Sequence, residues 1–122
     1  MNLFDSSALL CFLQGEGGAD VVERTLSQGD SSVSAANWSE VAQKVIARDQ
    51  DWDLARGLLH SYGLDVEPVL MLDAEVAASL WRRGSGLSLG DRLCLATARR
   101  LDATVWTADS AWGPAAPIRQ VR

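Results

Sequence analysis

The sequence has 122 residues, 48% of them apolar and 22% charged, with a net charge of −5. These proportions fit a single domain over residues 1–122 and exclude a disordered chain. No apolar run approaches the ~18 residues of a membrane helix, and no basic segment precedes an apolar one at the start. The expectation is therefore a cytoplasmic protein with no membrane partner.

In chain order, Asn2-Leu3-Phe4 is a short apolar run that stops at Asp5 and reads as an opening strand. Ser6-Ser7 supply an N-cap signal for a mostly buried helix over residues 8–13, which the glycines of 15–18 break. Ala19–Ser27 reads as an amphipathic helix with Val22 and Leu26 inward, and Ser31–Ser34 as a second short strand. Asn37-Trp38-Ser39-Glu40 opens the next helix, whose buried stripe is Val41, Val45 and Ile46. Asp51 or Asp53 caps another helix through Leu54, Leu58 and Leu59. Residues 64–67 alternate apolar and acidic before Pro68, as an edge strand does. Asp73 then caps a helix carrying Val76, Ala77, Leu80 and Trp81.

After the flexible Gly84-Ser85-Gly86, residues 87–98 start a helix that enters the core yet places Asp91 in its first turn. A strand over 104–106 follows, then a loop over 108–117 and a short strand over 118–121. Trp38 and Trp106 read as core, Trp52 and Trp81 as core or interface, and Trp112 as a packing residue or a base-stacking one. Strands alternate with helices without internal repeat. That order predicts an α/β three-layer sandwich, with a mostly parallel sheet carrying helices on both faces.

Cys11 and Cys94 lie in apolar patterns without a CxxC motif or histidine neighbours and are expected as buried, reduced thiols. His60 is the single histidine, which excludes His/Cys zinc chemistry.

Four acids stand where chemistry can gather. Asp5 and Asp109 fall at predicted strand C-termini, the edge at which open α/β sheets place their sites, and their purely structural readings are a helix cap and a turn residue. Asn37-x-x-Glu40 and Ser88-x-x-Asp91 have capping-box spacing, so Glu40 and Asp91 also have a purely structural reading. Helix N-termini open on the same rim as the strand ends, however, so first-turn acids face the same crevice. Four carboxylates meeting there repel unless a hard cation lies between them, and oxygen donors of this kind suit Mg²⁺ or Mn²⁺.

The chain resembles the PIN-domain ribonucleases, and more narrowly the VapC toxins of bacterial toxin–antitoxin pairs. The likeness runs through Phe4-Asp5-Ser6-Ser7-Ala8-Leu9, residues 34–41, residues 87–96 and residues 107–112, in the family's order. It implies a PIN-like nuclease domain in which Asp5, Glu40, Asp91 and Asp109 are the catalytic acids. Asp5, Asp91 and Asp109 would hold the metal, Glu40 would orient or deprotonate the water, and Ser6 and Thr107 would be polar supports. It further implies Mg²⁺- or Mn²⁺-dependent endonucleolytic cleavage of RNA, a small antitoxin that blocks the acidic groove, and a homodimer.

Charge is unevenly placed: residues 1–75 hold 13 acids and 4 bases, whereas residues 76–122 hold 3 acids and 7 arginines. The arginine-rich half is the expected RNA rim, with Arg82, Arg83, Arg92 and Arg99 as its contacts. Competing readings are a PIN nuclease of housekeeping RNA maturation, a non-catalytic PIN-like scaffold, and a receiver-like Mg²⁺ domain. The last needs a lysine late in the chain, and Lys44, the only lysine, lies early on an outward helix face.

Overall fold

The computed structural model describes residues Met1–Arg122. Five strands form one sheet: β1 (Asn2–Phe4), β2 (Ser31–Ser34), β3 (Asp65–Glu67), β4 (Thr104–Thr107) and β5 (Ile118–Gln120). Their spatial order is β3-β2-β1-β4-β5, and every neighbouring pair is parallel. The helices are α1 (Ser6–Gln14), α2 (Ala19–Ser27), α3 (Ala35–Ala47), α4 (Trp52–Ser61), α5 (Met71–Ser79) and α6 (Leu89–Leu101). A 3-10 turn, Ser110–Trp112, follows β4.

Alternation along the central strands splits the core in two. Phe4 and Val33 face one side and pack with Leu9, Val22, Leu26, Val41, Val45 and Leu59 from α1–α4. Leu3 and Val105 face the other side and pack with Cys94, Ala98 and Trp112. The expected three-layer sandwich is thus present, and the sheet is wholly parallel. Trp112 is a packing residue, 8% exposed, while Trp81 is 54% exposed. Both cysteines are free and buried.

Two helix starts differ from the sequence expectation, and at a third one of two readings holds. Asp5, one of the two cap readings, caps α1 in place of Ser6 or Ser7 by accepting the Ala8 N–H at 2.8 Å. Ser34 caps α3 by accepting the Asn37 N–H at 3.1 Å, so Asn37 is a first-turn residue and the box with Glu40 does not form. Asp73 lies inside the first turn of α5 and accepts the Leu70 N–H at 2.9 Å. An acidic or hydroxyl side chain serves equally at the cap or one turn in, and strand ends decide between them. β2 still pairs at Ser34, so α3 can begin only at the next residue.

Burial also differs in α3. Ile46, expected in the buried stripe, is 58% exposed, and Leu54 and Leu58 on α4 are 72% and 43% exposed. They have apolar spacing but no face of this chain to pack against.

Between α5 and α6 the chain makes an antiparallel hairpin. Arg100, near the end of α6, grips Asp73 at the start of α5, with Nε–Oδ1 at 2.9 Å and Nη2–Oδ2 at 3.1 Å. At the other end the Arg92 guanidinium donates to Ala77 O at 3.0 Å. The two arginines thus tie both ends of α5 to α6.

Candidate active site

In this strand order the chain leaves β1 for β2 on one side, while β4 pairs on the other. Ligand crevices form at such a switch point, beyond the strand C-termini. Phe4 pairs with both Val33 and Trp106, so Asp5, Ser34 and Thr107 come level at that edge.

Asp5 is 2% exposed and held from three directions. Ala8 N–H and the Ser7 hydroxyl, at 2.8 and 2.7 Å, donate to its Oδ1, and the Thr107 hydroxyl donates to Oδ2. Ser7 Oγ also accepts the Ala108 N–H at 2.9 Å, and Thr107 Oγ1 accepts the Asp109 N–H at 3.0 Å. Burial pushes the Asp5 carboxyl up to about 6; the Thr107, Ala8 and Ser7 hydrogen bonds oppose this, and the charge of Asp91 adds to it. The supporting hydroxyl on α1 therefore belongs to Ser7. Ser6 makes no side-chain hydrogen bond, because only the second residue after the cap turns back over it.

Asp91 lies in the first turn of α6 and does form the expected box. Its Oδ2 accepts the Ser88 N–H at 2.9 Å, and Ser88 Oγ accepts the Asp91 N–H at 3.1 Å. Glu40, one turn into α3, reaches across to α6: a Cβ built on Gly90 would lie 2.7 Å from its Oε1 and 2.8 Å from its Oε2. Asn37 Nδ2 donates to Glu40 Oε1 at 2.6 Å. The charges of Asp5, Asp91 and Glu40 all bear on Cys94, whose thiol burial already pushes well above its ordinary value. Asp5, Asp91 and Glu40 thus lie within electrostatic reach of one buried residue in the first turns of α6.

Asp109 stands farther out. It is exposed, and its Oδ1 caps the 3-10 turn by accepting the Ala111 N–H at 2.9 Å. No group of three or more His, Cys, Asp or Glu side chains is close enough to form a ready-made metal cage. The carboxylates are each engaged by their own N–H or O–H donors instead. The donor chemistry nonetheless fits a hard cation, since the rim offers carboxylate oxygens and hydroxyls and the nearby Cys94 thiol is fully buried. Mg²⁺ needs only one or two protein carboxylates and keeps several waters, so a closed cage is not required.

The four arginines separate. Arg82 and Arg83 are exposed on the loop that leads to α6, on the rim side. Arg82 donates to Ser79 O and Trp81 O at 2.9 and 2.7 Å. Arg92 is half-buried between α5 and α6, and its Nε has no partner. Arg99 falls in the last turn of α6, roughly 12 Å along the helix from Asp91. Arg99 is thus remote from Asp91, and the Arg92 guanidinium is turned to Ala77 O on α5. Sequence reading missed Asn37 and Gly90 as site residues; the signal was an amide three residues before Glu40 and a glycine just before Asp91.

The fold and this acidic switch-point crevice define a class: residues 3–115 match the PIN domain model, and the chain belongs to the PIN domain family. Within it, the chain belongs with the VapC ribonucleases. It is 36% identical over 108 aligned residues to ribonuclease VapC42 of Mycobacterium tuberculosis, covering 80% of this chain and 82% of that protein. In structure it is similar to a toxin–antitoxin complex from Klebsiella pneumoniae, with a TM-score of 0.79 at 21% identity, covering 100% of this chain and 98% of that one. It is also similar to Mycobacterium tuberculosis VapC20, a sarcin–ricin loop cleaving toxin, with a TM-score of 0.72 at 18% identity over 93% and 95% of the two chains.

Proposed function

We propose that this protein is an endoribonuclease acting as the toxin of a VapBC-type toxin–antitoxin pair. The observation that carries this reading is the 36% identity to a VapC ribonuclease, in a chain whose Asp5, Glu40 and Asp91 all lie within electrostatic reach of Cys94 on α6. Asp5, Asp91 and Asp109 would hold Mg²⁺ or Mn²⁺. A bound divalent ion supplies Lewis-acid activation of the scissile phosphate and neutralises its charge. Ser7 and Thr107 orient the Asp5 carboxylate by their hydroxyls. Glu40 has Oε1 occupied by Asn37, which leaves Oε2 to accept the proton of the attacking water. Hydrolysis in this manner leaves a 5′-phosphate and a 3′-hydroxyl. Arg82 and Arg83, exposed on the loop before α6, would meet the RNA backbone, Arg82 with the guanidinium N–H groups that Ser79 O and Trp81 O leave unused.

The deciding experiment compares the wild type with Asp91→Asn on a fluorogenic RNA in Mg²⁺ or Mn²⁺, with a chelator control. Asn keeps an oxygen for the Ser88 N–H, so the melting temperature should move by no more than a few degrees. Cleavage should fall by at least about 100-fold. Normal cleavage with a lowered melting temperature would make Asp91 a helix cap only.

The antitoxin is proposed to block the acidic groove with one segment and to seat a second, apolar one in the groove of about 240 Å³ that Leu13, Val45, Leu54, Ala55 and Leu58 line together with Gln50 and Asp51. Leu54 is 72% exposed there and suits the apolar face of a partner helix. Leu54→Asp should leave the fold intact and weaken antitoxin binding by at least about tenfold, measured by calorimetry. Unchanged affinity would place the antitoxin elsewhere. A second apolar patch of Leu70, Met71 and Leu72 at the start of α5, 42%, 80% and 56% exposed, is the proposed homodimer face. Sedimentation of Met71→Asp tests it: a dimer that persists refutes the assignment.

A further inference from the structure

Asn37 is fully buried in the first turn of α3, and no helix cap or strand uses its side chain. Its Nδ2 donates to Glu40 Oε1 at 2.6 Å and reaches Gly90 O at 3.4 Å, on a helix start 53 residues further along the chain. Its Oδ1 is buried without a hydrogen-bond partner. An unpaired buried carbonyl costs free energy, and an apolar side chain of the same size would avoid that cost. Stability alone therefore does not account for an amide here.

Gly90 completes the arrangement. A Cβ at this position would meet Glu40 Oε1, Oε2 and Cδ at 2.7, 2.8 and 2.9 Å. Gly90 has ordinary helical backbone with negative φ, so its conformation does not call for glycine. What calls for it is the Glu40 carboxylate lying flat against its Cα. These atoms are the far end of a flexible side chain, so an added methyl would move the carboxylate rather than break the fold.

We propose that Asn37 and Gly90 form a clamp that positions the Glu40 carboxylate beside Asp91. This rests on the reading of Glu40 as the proton acceptor of the nuclease. Asn37 is a positioning residue: it fixes Oε1 and links the starts of α3 and α6. Gly90 leaves the space that the carboxylate occupies. A glutamate in the second turn of a helix otherwise samples several rotamers, and a displacement of about 1 Å at a reacting group costs about 100-fold in rate.

The test uses the full chain with Asn37→Leu, which keeps the volume and removes the amide, and Gly90→Ala, each made alone and on Glu40→Ala. RNA cleavage in Mn²⁺ is resolved into kcat and KM. Each single variant should lower kcat by about 10- to 100-fold with KM within about twofold. On Glu40→Ala, neither should lower kcat by more than about a further twofold. Losses that multiply on Glu40→Ala, or a wild-type kcat in both single variants, would overturn the clamp. If Asn37→Leu does not fold, Gly90→Ala carries the same comparison.

Urea unfolding of the Asn37→Leu and Glu40→Ala cycle, in chelator and without RNA, gives a readout independent of activity. The unfolding constants should be coupled by at least about tenfold; strict additivity would overturn the proposal. A wild type that cuts no RNA would remove the nuclease reading, while the unfolding cycle would still decide the clamp.

Discussion

Asp5→Asn should abolish metal-dependent RNA cleavage, by at least about 1000-fold, and at the same time make the chelated protein more stable at neutral pH. The two effects share one cause. Asp5 is 2% exposed at the end of β1, and burial holds its carboxyl up at about 6 against an ordinary 3.8. The folded state therefore binds a proton more tightly than the unfolded state does. The Asp5 contribution to stability is greatest below pH 4, falls as pH rises from about 4 to about 6, and is level above that. Asparagine cannot ionise, and its Oδ1 can still accept the Ala8 N–H that caps α1. The stabilisation at pH 7.5 reaches at most about 3 kcal/mol. Melting curves in chelator at pH 4 and pH 7.5 check this: the variant should gain on the wild type only as pH rises. Parallel curves would mean that Asp5 is not carrying a buried charge.

That combination is what separates a site residue from a scaffold residue, and only half of it was legible in the sequence. Asp5 could be placed at the switch-point edge, because a three-residue apolar run followed by a helix leaves it no other place. Its burial could not, since that depends on Thr107 and Ser7 closing over it from β4 and α1. The same limit explains the helix caps. Local spacing offers Ser34 or Asn37 as the start of α3, and the pairing of β2 with β3 chooses between them. Asn37 then became a cap by spacing and a clamp by structure, because Gly90, its other partner, is 53 residues distant. Apolar spacing put Ile46 in the buried stripe of α3, where it is 58% exposed, because spacing alone does not show which part of an apolar stripe another element covers.

Arg100→Ala should cost about 3–5 kcal/mol of stability, the largest single loss outside the hydrophobic core. Asp73 is 1% exposed, and its two oxygens are held by Arg100 Nε and Nη2, with the Leu70 N–H as the only other donor. Burial alone would raise the Asp73 carboxyl, but the Arg100 hydrogen bond, the Leu70 N–H and the Arg100 charge outweigh it and hold it below 3.8. The contribution of the pair is therefore complete above pH 3.8 and is lost as pH falls below it. Removing Arg100 reverses the balance, so Asp73 takes up a proton more readily in the variant. The difference between the two proteins is then widest at neutral pH and narrows towards pH 3, as urea titrations at several pH values would show. Arg24, whose exposed pair with Asp20 spans 3.7 Å, provides the contrast: Arg24→Ala should change stability by no more than about 0.5 kcal/mol. Arg100 lies roughly 13 Å along α6 from Asp91. Cleavage per folded molecule in Arg100→Ala should therefore stay within about twofold of wild type when assayed well below its melting temperature. A much larger fall would mean that the α5–α6 hairpin sets the position of Asp91 as well as holding the fold together.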